Sequence, residues 1–235
     1  MNRFGTMRQA QVGTEVLSEF MRGVYGWMSA GLMLTAAAAI YTASSPAMIQ
    51  AIFGNSILLI VLLVAEVGLV FAISGAINRL SATTATGLFL LYSVLNGVTL
   101  SSIFLVYSMA AIYKAFLTAG GMFGAMSIYG YVTKKDLSSW GSFLFMGLIG
   151  VVIAMVVNMF LRSPGLDFVI SGVGVLVFVG LTAYDTQRLR YMAATAPMGD
   201  ATVMRRGAIM GALQLYLDFI NLFLMLLSLF GGRRQ

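Results

Sequence analysis

Cysteine and histidine are both absent from this chain. Without cysteine there are no disulfides, no thiolate chemistry and no Fe–S or cysteine-type zinc sites. Without histidine, haem ligation by histidine, the usual zinc sites and Ser-His-Asp catalysis are excluded as well. Carboxylates are then the only side chains able to titrate in the mildly acidic to neutral range. Charge of either sign is scarce: 9% of the 235 residues are charged, against roughly 25% in a soluble domain. Hydrophobic residues make up 60%, and the mean hydropathy is +0.93. A buried core cannot account for that deficit, and no polar stretch is long enough to build a separate soluble domain. The composition defines an all-α, polytopic membrane protein.

A spanning helix needs about 20 apolar residues, and seven segments qualify. They run over about 23–43, 56–77, 84–107, 112–132, 141–161, 168–187 and 208–230. The first stops at SSP, because Pro46 cannot continue a helix, and the fifth stops at RSPG. The first apolar run is too long for a signal-peptide core and lacks a clean cleavage site, so it reads as a retained first span. Residues 1–22 form a polar N-terminal tail, 23–231 a single seven-helix domain, and 232–235 a short C-terminal tail. One connection is long, Arg188 to Arg206, and reads as a loop.

The net charge of +6 reads as a topology signal, since no basic stripe is interleaved with exposed aromatics and nucleic acid is not expected as a partner. With a cytoplasmic N-terminus, Arg3, Arg8, Arg22, Arg79, Lys134, Lys135, Arg188, Arg190, Arg205 and Arg206 lie inside. Only Lys114, Arg162, Arg233 and Arg234 then lie outside. Seven spans put the C-terminus outside. Glycine is abundant at 26 residues, and within spans it reads as a device for close helix approach, not as a ligand site.

Three acidic residues fall deep in the spans: Glu66, Asp185 and Asp218. A carboxylate in hydrocarbon must be protonated, paired, hydrated or bound to a cation, and is functional by default. Gln214, Asp218 and Asn221 follow i, i+4, i+7 spacing and share one face of the last helix. Asp185 has Thr182 one turn before it and Arg188 three residues after it. Spacing alone therefore leaves two readings: an interfacial carboxylate paired with Arg188, or a buried group. If Asp185 and Asp218 meet, they share a proton. Asp218 lies deeper than Asp185, and a helix tilt or a sixth helix extending to about Met192 would bring them level.

GLTAYDTQRLR and LYLDFINLFLMLL resemble the two C-terminal signatures of the Bax-inhibitor (transmembrane Bax-inhibitor-motif) family, and NGVTLSSIF and YGYVTKKDLS also match its pattern. The resemblance covers about Val24 to Phe230, and the short tails are similar to the bacterial branch. It implies a seven-helix bundle whose last helix is central and wrapped by the other six. It also implies a pH-sensitive calcium leak, with Asp185 and Asp218 as proton sensor and pore element and as a weak, transient calcium site. Glu66 matches an acidic position on the second helix. An arginine further along that helix can latch onto the pair; the matching position falls near Ile77, and the nearest arginine is Arg79. Gln214 and Asn221 are further candidates for the pore.

The resulting expectation is a proton-regulated calcium or cation leak in the bacterial inner membrane, not an enzyme, with no cofactor other than calcium as the transported ion. The lipid bilayer is its surrounding partner. The alternative is a regulatory protein that binds a membrane protease or another membrane protein. An intramembrane aspartyl hydrolase is a third reading, weakened because the motifs around both aspartates match the Bax-inhibitor pattern.

Overall fold

In a computed structural model, residues 3–77, 79–195 and 201–231 are described, with side chains from 15 to 77, from 79 to 195 and from 202 to 231. Among them every regular element is a helix. In chain order these are α1 (Arg3–Ala43), α2 (Pro46–Phe53), α3 (Ser56–Ala76), α4 (Ala82–Leu100), α5 (Ile103–Val106), α6 (Met109–Val132), α7 (Ser138–Leu161), α8 (Pro164–Thr195) and α9 (Ala201–Phe230). Seven stretches are long and apolar enough to cross a membrane, as the sequence predicts. The last is the most buried, with 61% of its apolar stretch buried against 11% for the second and the fifth. Large apolar side chains such as Ile57, Phe71 and Phe160 are exposed. On a spanning helix that exposure faces lipid.

Four features differ from the sequence reading. Pro46 does end α1, but it also starts α2 as a first-turn proline, with the Ser45 hydroxyl accepting from Met48 N at 3.4 Å. Proline suits that position because its missing N–H would have no helical partner there. The third span is interrupted: Ser101 and Ser102 separate α4 from α5, and their hydroxyls fold back onto the carbonyls of Val98 (2.6 Å) and Thr99 (3.0 Å). The long Arg188–Arg206 loop is mostly helix. Arg188 and Arg190 lie on α8, and Arg205 and Arg206 lie on α9. The segment 196–200 and the C-terminal tail 232–235 are outside the described residues. The segment read as an N-terminal tail is helical from Arg3 and continuous with the first span.

The chain divides into two compact units: Met1–Leu105 with Leu189–Tyr216, and Val106–Arg188 with Leu217–Gln235. In the first, α4 packs along α1 and α3. Gly97 makes this possible, since a Cβ there would collide with the Thr35 carbonyl of α1. Phe89 and Tyr92 meet the Tyr216 ring edge-on, both at 5.7 Å. Such contacts carry the packing where lipid supplies no hydrophobic drive between helices.

In the second unit, Phe116 and Phe123 of α6 meet Phe219 of α9 edge-on at 5.7 and 5.6 Å. Lys114 Nζ stands 4.5 Å from the centre of the Phe230 ring, a cation–π contact. The Gln187 side chain of α8 holds the connection between α6 and α7: it accepts from Leu137 N and donates to Lys135 O, both at 2.8 Å.

Candidate functional site

The sixth span keeps its helical period well past the apolar stretch, to Thr195. Asp185 therefore sits ten residues from the helix end, about 15 Å along the axis. Gly130 of α6 admits this part of α8 closely, because any Cβ there would strike the Ala183 carbonyl. Thr182 is fully buried and returns its hydroxyl to Phe178 O at 2.8 Å, so it stays within its own helix. Asp185 itself is 4% exposed. Arg188, its candidate partner by spacing, is exposed and forms no ion pair with it.

Asp218, on α9, is 5% exposed, and its carboxyl group is hydrogen-bonded to that of Asp185. Its second oxygen, Oδ2, is buried without a hydrogen-bond partner. A hydrogen bond between two carboxyl groups requires that one of them holds a proton, since an ionised carboxylate only accepts. The pair thus presents one buried oxygen, Asp218 Oδ2, with unused accepting capacity.

The other residues singled out in the sequence have different surroundings. Asn221 donates to Leu217 O of its own helix at 2.8 Å. Gln214 is half-buried. Arg79 lies beyond the end of α3 and is exposed.

Glu66 is 8% exposed and belongs to a polar chain within the first unit. Thr99 Oγ1 donates to Oε1 at 2.8 Å, and Asn96 Nδ2 donates to Oε2 at 3.3 Å. Asn96 Oδ1, which can only accept, takes the Tyr216 hydroxyl proton at 3.0 Å. The Tyr216 hydroxyl oxygen is in turn 2.7 Å from Thr35 Oγ1, whose single proton goes either to it or to Ser93 O at 2.8 Å. Helices α3, α4, α9 and α1 are tied in this way through one buried line. Asn96, Thr99 and Tyr216 stand out in the sequence as polar residues in spans. Thr35 and Ser93 do not; the signal for Thr35 is its isolation in GLMLTAAAAI.

Two or three carboxylates are too few to fill a calcium shell of six to eight oxygens. Among the described residues no group of three or more acidic side chains is gathered to hold a metal ion. A calcium ion near the pair would keep water or borrow carbonyl oxygens.

Seven apolar helices with a buried pair of carboxyl groups define a polytopic membrane protein. The family described as inhibitor of apoptosis-promoting Bax1 matches residues 17–235, and the chain belongs to this Bax-inhibitor family. It is 53% identical over 218 residues to the inner membrane protein YbhL of Escherichia coli, covering 93% of each chain. It is 48% identical to an uncharacterised protein of Borreliella burgdorferi, covering 94% of each chain. A Deinococcus radiodurans relative is 45% identical over 91% of this chain and 90% of its own.

Proposed function

We propose that this chain is a pH-sensitive calcium or cation leak of the bacterial inner membrane, gated by Asp185 and Asp218. The observation that carries the reading is the hydrogen bond between these two nearly fully buried carboxyl groups. While they share a proton, the bond ties α8 to α9. Loss of that proton leaves two like charges in a medium of low dielectric, where their repulsion is strong. Water or a cation entering between them relieves it. A transient site of this kind suits conduction, which needs binding weak enough to release the ion. The inner-membrane placement is supported by the name of the Escherichia coli relative.

The test is calcium flux into liposomes holding only the purified chain, across a pH series. Flux that rises as the shared proton is lost supports the leak. Liposomes that stay tight at every pH reject it, and favour a regulatory protein that acts on a membrane protease or another membrane partner.

A further inference from the structure

Arg162 is the one non-glycine residue with a positive φ among the described residues, at φ 51° and ψ 35°. It ends α7 in the left-handed conformation, a position that glycine ordinarily fills because a Cβ is strained there. The backbone hydrogen bonds at this turn do not need an arginine. Arg162 N donates to Asn158 O at 2.7 Å, and Ser163 N donates to Asn158 Oδ1 at 3.0 Å, whatever side chain residue 162 carries. The guanidinium forms no ion pair among the described residues and is exposed.

That guanidinium lines a cavity of about 820 Å³ within the second unit, of the size that holds small ligands. Asp167 lines it too. Ser228 Oγ occupies Asp167 Oδ2 at 3.1 Å, which leaves Oδ1 for another donor. A cation and an anion therefore face one space without pairing. The remaining wall is largely apolar, including Met155, Met159 and Phe168. Met159 and Phe168 are about two-thirds exposed, at 65% and 66%, on spanning helices. The cavity lies where the fifth span ends and the sixth begins, the level at which lipid headgroups meet protein.

We propose that this cavity binds the headgroup of a phospholipid that carries both a phosphodiester and a primary ammonium, as phosphatidylethanolamine does. Arg162 takes the phosphodiester through its planar fork, and Asp167 Oδ1 takes the ammonium. The acyl chains run along the apolar wall into the bilayer. A purely anionic headgroup leaves Asp167 facing a like charge. A quaternary ammonium has no N–H to give it. A free phosphate leaves the apolar wall bare.

The experiment is native mass spectrometry of the full chain, titrated with phosphatidylethanolamine, phosphatidylcholine and phosphatidylglycerol of matched acyl chains, and with glycerophosphoethanolamine as the free headgroup. The native chain should bind phosphatidylethanolamine about tenfold more tightly than the other two lipids, the effect of one charge-assisted hydrogen bond. Asp167→Asn should bring it down to the phosphatidylcholine level. Arg162→Gly should weaken all three lipids while Tm in lipid-free detergent holds or rises, since glycine relieves the left-handed backbone. Equal binding of the three lipids overturns the proposal, as do variants that bind like the native chain. A fall in Tm for Arg162→Gly in lipid-free detergent also overturns it, because the arginine is then structural. Free headgroup binding as tight as the intact lipid overturns the assignment to a lipid.

Discussion

Tyr216 donates its only proton to Asn96 Oδ1, 3.0 Å away, and Asn96 spends its amide on Glu66. The phenol thus orients the amide that holds the buried carboxylate. Tyr216→Phe keeps the ring against Phe89 and Tyr92 but strands Asn96 Oδ1 and frees Thr35. A buried acceptor left without a donor costs about 1–3 kcal/mol. Thermal unfolding of the purified variant should show that loss, and a Tm equal to the native one would mean that the chain of bonds contributes nothing.

For the aspartate pair, Asp218→Asn is nearly isosteric and can still hydrogen-bond, so the chain should fold. It cannot ionise, so pH-dependent flux should weaken or vanish. Asp185→Asn should alter the pH response as well and can leave a constitutive leak. The double variant should not show the sum of the two effects, because bonded carboxyl groups titrate as a unit. Proteoliposome flux at several pH values decides; a double variant with native flux and native pH response rejects the gate.

Gly130→Ala tests the same site from behind. The added Cβ would meet the Ala183 carbonyl two residues before Asp185, pushing α8 away from α6. Overpacking of this kind typically costs about 1–3 kcal/mol. Both Tm and the pH midpoint of flux should move, and movement of Tm alone would place the contact outside the gate.

Gln187→Ala should release the connection that carries Lys134 and Lys135, since one side chain supplies both of its hydrogen bonds to Leu137 and Lys135. Limited proteolysis in detergent should cut the variant at these lysines faster than the native chain. Identical cleavage rates would show that the connection is held by other contacts.

Reporter fusions at Gln235 and at Met198 should fall on opposite sides of the membrane, with Met198 cytoplasmic, because ten of the fourteen Lys and Arg residues then lie inside. Both reporters on one side would remove one of the seven spans.

The seven spans were readable because lipid imposes a length and a composition that few other structures meet. Asp185 and Asp218 were readable because a carboxylate among Leu, Phe and Val has few innocent explanations. Their meeting was not legible, because it rests on how α8 and α9 pack; nor was the run of α8 through RLRYMAAT, a polar stretch that reads as loop when hydropathy alone is followed. Thr35 escaped for the opposite reason. A hydroxyl that can return to its own helix carries little signal until Tyr216 is placed beside it. Pro46 was read as a stop because proline breaks helices, yet beside Ser45 the same residue starts one. The left-handed Arg162 has no sequence signature, since glycine is what that position normally announces.

The break at Ser101 and Ser102 also has an electrostatic side. The peptide dipoles of α4 run along its axis and leave partial negative charge at its last carbonyls, up to roughly half an elementary charge. Those carbonyls include Val98 and Thr99, and the Thr99 hydroxyl is bonded to Glu66. The backbone therefore adds its own negative potential beside a buried acidic side chain, within the third span instead of at its rim. Replacing Glu66 by glutamine would remove one source of that potential and leave the other, which is written into the main chain.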